Sequence, residues 1–304
     1  MNFGRTSNSM RGKESDSWAS FWFLLPVLAV FIVLFAVPLF QTFYFSLTDF
    51  TGYSTEVNFV GLKNYIAVFT DSALLEGLFF TLIYTVATTV VVTLLAIPLA
   101  IQLDRKFFGR DFVRSLFFFL SVPSMAILGL IWQFILLPLD SGALNSILTE
   151  LLGADSVGWL AGSTSARICV IAVAIWAQVG WHATLYLAFL QSIPKDIYEQ
   201  ADIDGANAWN KFVHITLPQL MPGIVVSTFL LVSSGLKVYD LPFTLTKGGP
   251  GYATNTITQS IIIRGISQGR ADVGSALAVL FTIAVGVIVM FQLKISRVVE
   301  RRFS

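Results

Sequence analysis

An all-α membrane protein with six transmembrane helices is the fold class this sequence predicts, and three observations carry it. Of 304 residues, 55% are hydrophobic and 12% are charged, against about 25% charged in an average soluble domain. Mean hydropathy is +0.76. The charges cluster between apolar runs that approach or exceed the roughly 20 residues needed to cross about 30 Å of hydrocarbon as a helix.

Taken in order, the spans are expected at 21–45, 77–101, 116–139, 168–190, 221–245 and 275–293. A β-barrel would show short alternating segments instead of continuous runs. The first run is too long for the core of a signal peptide and no small-x-small cleavage site closes it, so it is expected to stay as a span. Residues 1–17 form a tail ahead of it, and 18–304 form one membrane domain. Where the spans face outward they meet membrane lipid.

A net charge of +1 excludes a nucleic-acid partner, because no segment accumulates the cationic density that a phosphate backbone requires. The single cysteine, Cys169, lies inside the fourth span. It can form no intrachain disulfide and is expected to pack as a small hydrophobe. No carboxylate pair, Ser-His-Asp set or metal-ligand cluster stands at a useful spacing, so neither catalysis nor a metal site is expected.

Orientation follows from where Lys and Arg fall in short loops. Arg5, Arg11 and Lys13 precede span one, Arg105, Lys106, Arg110 and Arg114 fall between spans two and three, and Lys294, Arg297, Arg301 and Arg302 follow span six. These segments belong on one side, which the positive-inside rule makes cytoplasmic, with both termini there. The loop after span one carries only Lys63, whereas Lys247, Arg264 and Arg270 after span five are a partial exception. The same parity puts 194–218, between spans four and five, in the cytoplasm.

That insert, whose core is EQADIDGANAWNKFVHITLP, has its own pattern. Pro194 suits a first helical turn, after which Ile197, Tyr198 and Ala201 share one side of a short helix. Gly205 stands where a left-handed residue would end it. Trp209, Phe212, Val213 and Thr216 then recur at helical spacing, and Pro218 is expected to start the next span. A surface-lying amphipathic loop would prefer Lys and Arg on its polar face. Asp196, Glu199, Asp202 and Asp204 fit a basic protein partner better. A calcium loop is excluded, since Asp202-Ile203-Asp204-Gly205 lacks the alternating ligands and closing Glu.

Glu199, Ala201, Gly205, Ile215, Leu217 and Pro218 resemble the E-A-A, three residues, G, nine residues, I-x-L-P signature of the membrane subunits of binding-protein-dependent ABC importers. The departure is Gln200, in place of alanine. The resemblance implies a MetI-like permease fold, with a family core at about 77–298. It also implies that this segment, Asp202 included, forms a coupling helix seated in a groove of an ATPase subunit. No G-x-x-x-x-G-K-[ST] phosphate loop occurs in the chain, so ATP and Mg would be held by partner ATPase chains and no cofactor by this one.

Phe59 to Tyr65 (FVGLKNY), Leu190 to Ala206 and Leu245 to Thr254 (LTKGGPGYAT) are similar to the carbohydrate-uptake branch, and the last to its MalF-like half. The tail VVERRFS lacks the ending usual in the MalG-like half. The likeness implies a non-enzymatic subunit forming half of a pore in the bacterial inner membrane. Its implied partners are a MalG-like permease, two ATPase subunits and an extracytoplasmic sugar-binding protein.

Polar residues within spans need a partner or a cavity. In span four, Gln178, His182 and Tyr186 are four apart with Trp181 beside them. Amide, imidazole and phenol groups can bond sugar hydroxyls while an aromatic ring packs on the sugar's C–H face. The same groups equally suit hydrogen bonds between helices. In span five, Ser233, Lys237 and Asp240 share a face, and the last two are spaced to neutralise each other. The alternative is a contact from Lys237 to an anionic substrate such as a glycerol phosphate. An ion-coupled carrier using Lys237 and Asp240 is a rival, but it leaves the coupling motif unexplained and no repeated halves are visible. Pro26, Pro38, Pro123, Pro222 and Pro242 punctuate the spans, with Pro123 and Pro222 the candidates for functional kinks.

Overall fold

A computed structural model describes residues 22–138 and 142–303, with side chains described through residue 296. The tail cations Arg5, Arg11 and Lys13, the span limits at 21 and 139, and the side chains of Arg297, Arg301 and Arg302 lie outside that range. Within it the chain is helical apart from one bridge between Thr48 and Phe59.

Five helices are long and apolar enough to cross a membrane: α1 (Trp22–Phe45), α3 (Ser72–Asp104), α7 (Ser163–Gln191), α9 (Ala208–Leu236) and α12 (Ala271–Ser296, continuing helically to Phe303). Between them lie α2 (Lys63–Thr70), α4 (Arg110–Phe119), α5 (Met125–Ile135), α6 (Ala143–Leu152), α8 (Lys195–Ile203), α10 (Asp240–Thr246) and α11 (Ile257–Ile262), the last followed by a π segment Ile263–Ser267. The sixth expected span, the third in order, is divided. Its helix stops at Phe119 and resumes at Met125, because Pro123 disfavours helical geometry at the preceding residue and Ser124 caps the new helix by accepting from the Ile127 amide at 3.4 Å.

The fifth span also differs from expectation. Its helix does not begin at Pro218 but at Ala208, running through a π segment at Phe212–Thr216 into Leu217–Leu236. In an α-helix a proline ring strikes the carbonyl four residues back. The π register, in which the Leu217 amide donates to the Phe212 carbonyl, ends immediately before Pro218 and makes room for its ring. Pro38 follows the same arrangement, with a π segment at Ile32–Ala36 just before it. Pro98 lies inside α3 and Pro222 inside α9; Pro98 had not stood out from the sequence.

At the centre, α3 packs on α7 and α9. Small residues permit the approach. Ala166, Val170, Val173, Ala174, Ala177 and Ala183 make the buried stripe of α7, and a Cβ at Gly180 would fall 2.1 Å from the Phe117 carbonyl oxygen of α4. On α3 the buried hydroxyls of Thr81, Thr85 and Thr88 each donate to the carbonyl four residues back at 2.7 Å, which satisfies their donors within the helix, while Thr81 Oγ1 also accepts from the Ile257 amide of α11 at 3.0 Å. By contrast α1 has no buried residue in its most apolar window and packs chiefly on α12, leaving most of its surface to lipid or another subunit.

The two outer sequence segments fold for local reasons. In FVGLKNY, Gly61 takes φ +61, and the buried Asn64 amide donates to the carbonyls of Ser46 and Thr48 at 3.0 and 2.7 Å, closing the exposed end of α1. In LTKGGPGYAT, Thr246 and Thr254 hydroxyls pair at 2.6 Å and Gln259 Nε2 donates to the Lys247 carbonyl at 3.0 Å. Gly248, at φ +87, leaves room for Gln259, which a Cβ would approach to 2.7 Å. Arg167 fastens this end, bonding Glu76 at 2.6 Å and the Ala253 carbonyl at 2.8 Å, while Arg264 pairs with Asp71.

Candidate functional site: a coupling turn and an intramembrane cavity

At one end of the bundle, α8 stops at Ile203 and Gly205 turns the chain at φ +74. The Ala206 amide donates back to the Ala201 carbonyl at 2.9 Å and the Gly205 amide to Asp202 at 3.2 Å, closing the helix end on a left-handed residue. Asn207 then caps α9, its Oδ1 accepting from the Asn210 amide at 2.8 Å. Across the turn Lys211 Nζ meets Asp202 at 2.6 Å, and Tyr198 Oη lies 3.0 Å from Thr216 Oγ1. Tyr198 and Phe212 pack on a core of Ala96, Ala100, Leu190, Ile193 and Leu220.

The tip beyond these ties is open. Glu199, Asp202, Asp204 and Gly205 are exposed and Ala201 half-buried, while Ile203 and Trp209 are 86% and 69% exposed. Two large apolar side chains ringed by carboxylates form a surface suited to a partner with a basic-rimmed apolar groove. Ile215, Leu217 and Pro218 lie instead in the half-buried stretch of α9, where they join the turn to the bundle.

The other end of α9 is broken. The helix stops at Leu236, Lys237, Val238 and Tyr239 intervene, and α10 begins at Asp240. Here a cavity of about 200 Å3 opens, lined by residues that include Tyr84, Thr88, Gln178, Lys237, Tyr239 and Asp240. Lys237 at the C-terminal end of one helix and Asp240 in the first turn of the next each match the local helix dipole. The expected neutralisation of Lys237 by Asp240 is not observed: neither belongs to any ion pair among the described residues, since the break turns both exposed side chains out of the geometry of a continuous helix.

Of the four span-four candidates only Gln178 lines the cavity. His182 is buried, its Nδ1 2.8 Å from Ser227 Oγ on α9. Tyr186 is fully buried in the core, and Trp181 sets its ring edge against His182 at 4.8 Å. Four-residue steps advance about 400° around a helix, so Tyr186 is turned well away from Gln178. Ser233 does not line the cavity, whereas Ser234 does. Tyr84 and Thr88, one turn apart on α3, escaped sequence reasoning because Tyr and Thr are ordinary in an apolar span, and Met125 and Tyr239 because they come from separate elements with no shared spacing. A Cβ at Gly129 of α5 would sit 1.9 Å from Thr244 Oγ1 of α10, so the wall beside the cavity depends on that glycine. Among the described residues no group of His, Cys, Asp or Glu could hold a metal ion.

A multi-pass helical bundle with an interrupted helix beside a cavity that several polar side chains line, and a helix-glycine-helix turn at one end, is an arrangement suited to a membrane permease. Residues 92–304 match the model of the binding-protein-dependent transport system inner membrane component. The chain belongs to that family; as a permease subunit it is a transport component and not an enzyme.

Its curated relatives include a probable starch degradation products permease, AmyD of Thermoanaerobacterium thermosulfurigenes. AmyD is 31% identical over 282 residues, covering 91% of this chain and 94% of that protein. MsmF, a multiple sugar-binding transport permease of Streptococcus mutans, is 32% identical over 291 residues, covering 95% and 98%. Among solved structures, a bacterial alginate ABC transporter in complex with its alginate pentasaccharide-bound periplasmic protein aligns at a TM-score of 0.83 with 23% identity, covering 97% of this chain and 99% of that one. That likeness bears on the fold.

Proposed function

We propose that this chain forms half of the translocation pore of a sugar ABC importer, taking an oligosaccharide from an extracytoplasmic binding protein. A second, MalG-like permease would complete the pore, and two ATPase subunits would hold ATP and Mg. Both termini and the turn at Gly205 face the cytoplasm. The observation that carries this reading is the turn at Gly205, where Glu199, Ile203 and Trp209 are presented together on a tip held by the Gly205 and Ala206 amide bonds and the Asn207 cap.

Mechanically, α9 is the connecting rod. It runs without interruption from the turn to the cavity, 29 residues or about 43 Å at 1.5 Å per residue. Closure of the ATPase pair would displace the turn; the tie from Tyr198 to Thr216 would hold α8 to α9, and that from His182 to Ser227 would carry α7 with them. The break at Lys237 to Tyr239 would then alter the cavity and expose it to one side of the membrane at a time. Gln178, Lys237, Tyr239 and Asp240 can bond sugar hydroxyls while Tyr84 and Tyr239 offer ring surface.

A second reading is favoured by one observation, the ammonium of Lys237 at the cavity, which has no ion-pair partner among the described residues: a cargo bearing an anionic group, such as a glycerol phosphate. Purifying the assembled importer and asking which solutes stimulate its ATPase through the binding protein tests both. Stimulation by neutral saccharides supports the first reading. Stimulation only by phosphorylated polyols supports the second, and uptake that follows an ion gradient without ATP would overturn both.

A further inference from the structure

We propose that the corner joining α3 to α4 is a binding site for the headgroup of an anionic phospholipid. The last buried residue of α3 is Leu103; beyond Asp104 the chain reads Arg105, Lys106, Phe107, Phe108, Gly109, Arg110, Asp111, Phe112. Lys106, Phe107, Gly109, Arg110, Asp111 and Phe112 surround a surface concavity of about 360 Å3. Phe108 is fully exposed and Phe112 is 73% exposed.

The charges around the concavity are unequally engaged. Arg114 is committed to the end of α3, donating from Nε and Nη2 to the Leu103 carbonyl at 3.0 and 2.7 Å. Arg110 pairs with Asp111 at 3.3 Å. Arg105 and Lys106 have no carboxylate partner among the described ion pairs. The corner therefore carries a cationic surplus beside three phenylalanine rings, at the level where an apolar spanning helix gives way to polar residues.

That combination selects its occupant by chemistry. A soluble acidic protein would satisfy the cations and leave the rings in water. A zwitterionic lipid would cover the rings and leave the surplus charge. An anionic phospholipid does both, its phosphate against Lys106 and Arg105 and its glycerol and upper acyl region against Phe108 and Phe112. In the orientation proposed above this corner lies at the cytoplasmic leaflet, where basic clusters next to a membrane helix attract anionic lipid. The site is independent of the cargo, and its failure would leave the transport reading untouched.

A fluorophore at Phe108→Cys, with Cys169→Ala removing the native thiol, tests it in the assembled importer reconstituted in phosphatidylcholine vesicles. Spin-labelled phosphatidylglycerol is expected to quench the probe at lower mole fraction than spin-labelled phosphatidylcholine. Adding Lys106→Gln, and then Arg105→Gln, should reduce that preference by roughly fivefold for each charge removed, and high salt should weaken it. Equal quenching by the two lipids, an unchanged preference in the double variant, or a probe screened from lipid because it cross-links to an ATPase subunit would overturn the proposal.

Discussion

At its Ala208 end α9 is joined to α8 by a turn closed with backbone hydrogen bonds, an Asn207 cap and the Asp202 to Lys211 ion pair. At its Leu236 end it is joined to α10 by Lys237, Val238 and Tyr239, and among the described residues neither Lys237 nor Asp240 belongs to an ion pair. The first junction has a hydrogen-bonded turn and an exposed tip. The second also bonds its Lys237 and Val238 amides back to the Ser234 and Gly235 carbonyls at 3.2 Å, but sets polar side chains around a cavity. A helix that transmits a displacement needs its driven end to resist deformation, whereas a working end needs bonding capacity left over for cargo. In the mechanism proposed above, the difference between the two junctions separates transmission from recognition along one helix.

The comparison breaks most readily at Gly205. Gly205→Val should insert and assemble yet lose substrate-stimulated ATPase activity and uptake by about tenfold or more, because a side chain at a left-handed position costs roughly 1–2 kcal/mol, more when β-branched. A Cβ there would meet nothing within 4 Å, so the effect comes from backbone shape rather than from a clash. Gly205→Asn, which tolerates that conformation, should keep most of the activity; equal loss in both variants would remove shape from the explanation.

Next in size is Lys237→Met. If the cavity end recognises cargo, uptake should fall by about tenfold with basal ATPase activity unchanged, as expected for loss of a charge-assisted hydrogen bond of about 1.5–3 kcal/mol. An unaltered uptake profile across saccharides would move recognition elsewhere. Smaller again is Tyr198→Phe, which deletes the bond to Thr216 and should lower thermal stability by about 1 kcal/mol and weaken coupling modestly, read as the ratio of sugar moved to ATP hydrolysed. Asp202→Ala should be smallest. The Asp202 carboxylate is 61% exposed in its pair with Lys211, so a change of under about 1 kcal/mol in stability is expected; a large one would mean that Asp202 supports the turn by more than charge.

Much of the turn at Gly205 was legible because its determinants are local. A glycine after a short amphipathic helix, followed by a capping Asn and an aromatic stripe, specifies the same turn in any context. The continuity of α9 through Pro218 was not legible, since proline at a helix start and proline after a π segment look alike in one dimension. The division of the third span at Pro123 was visible only as a kink candidate. The cavity was the least legible feature: Gln178, Lys237 and Asp240 stood out as polar residues in apolar spans, yet Tyr84, Thr88 and Tyr239 carry no such signal, and His182 and Tyr186 proved to be buried between helices.

By itself the sequence determined that this is a multi-pass helical membrane protein with a glycine-turned segment between its fourth and fifth spans, because hydrophobic run length and Gly205 act through near neighbours along the chain. Only the tertiary structure decided which polar groups face a cavity and which face another helix. That outcome depends on close backbone approaches at Gly129, Gly180 and Gly235, where the absence of a Cβ sets how helices far apart in sequence lie against one another.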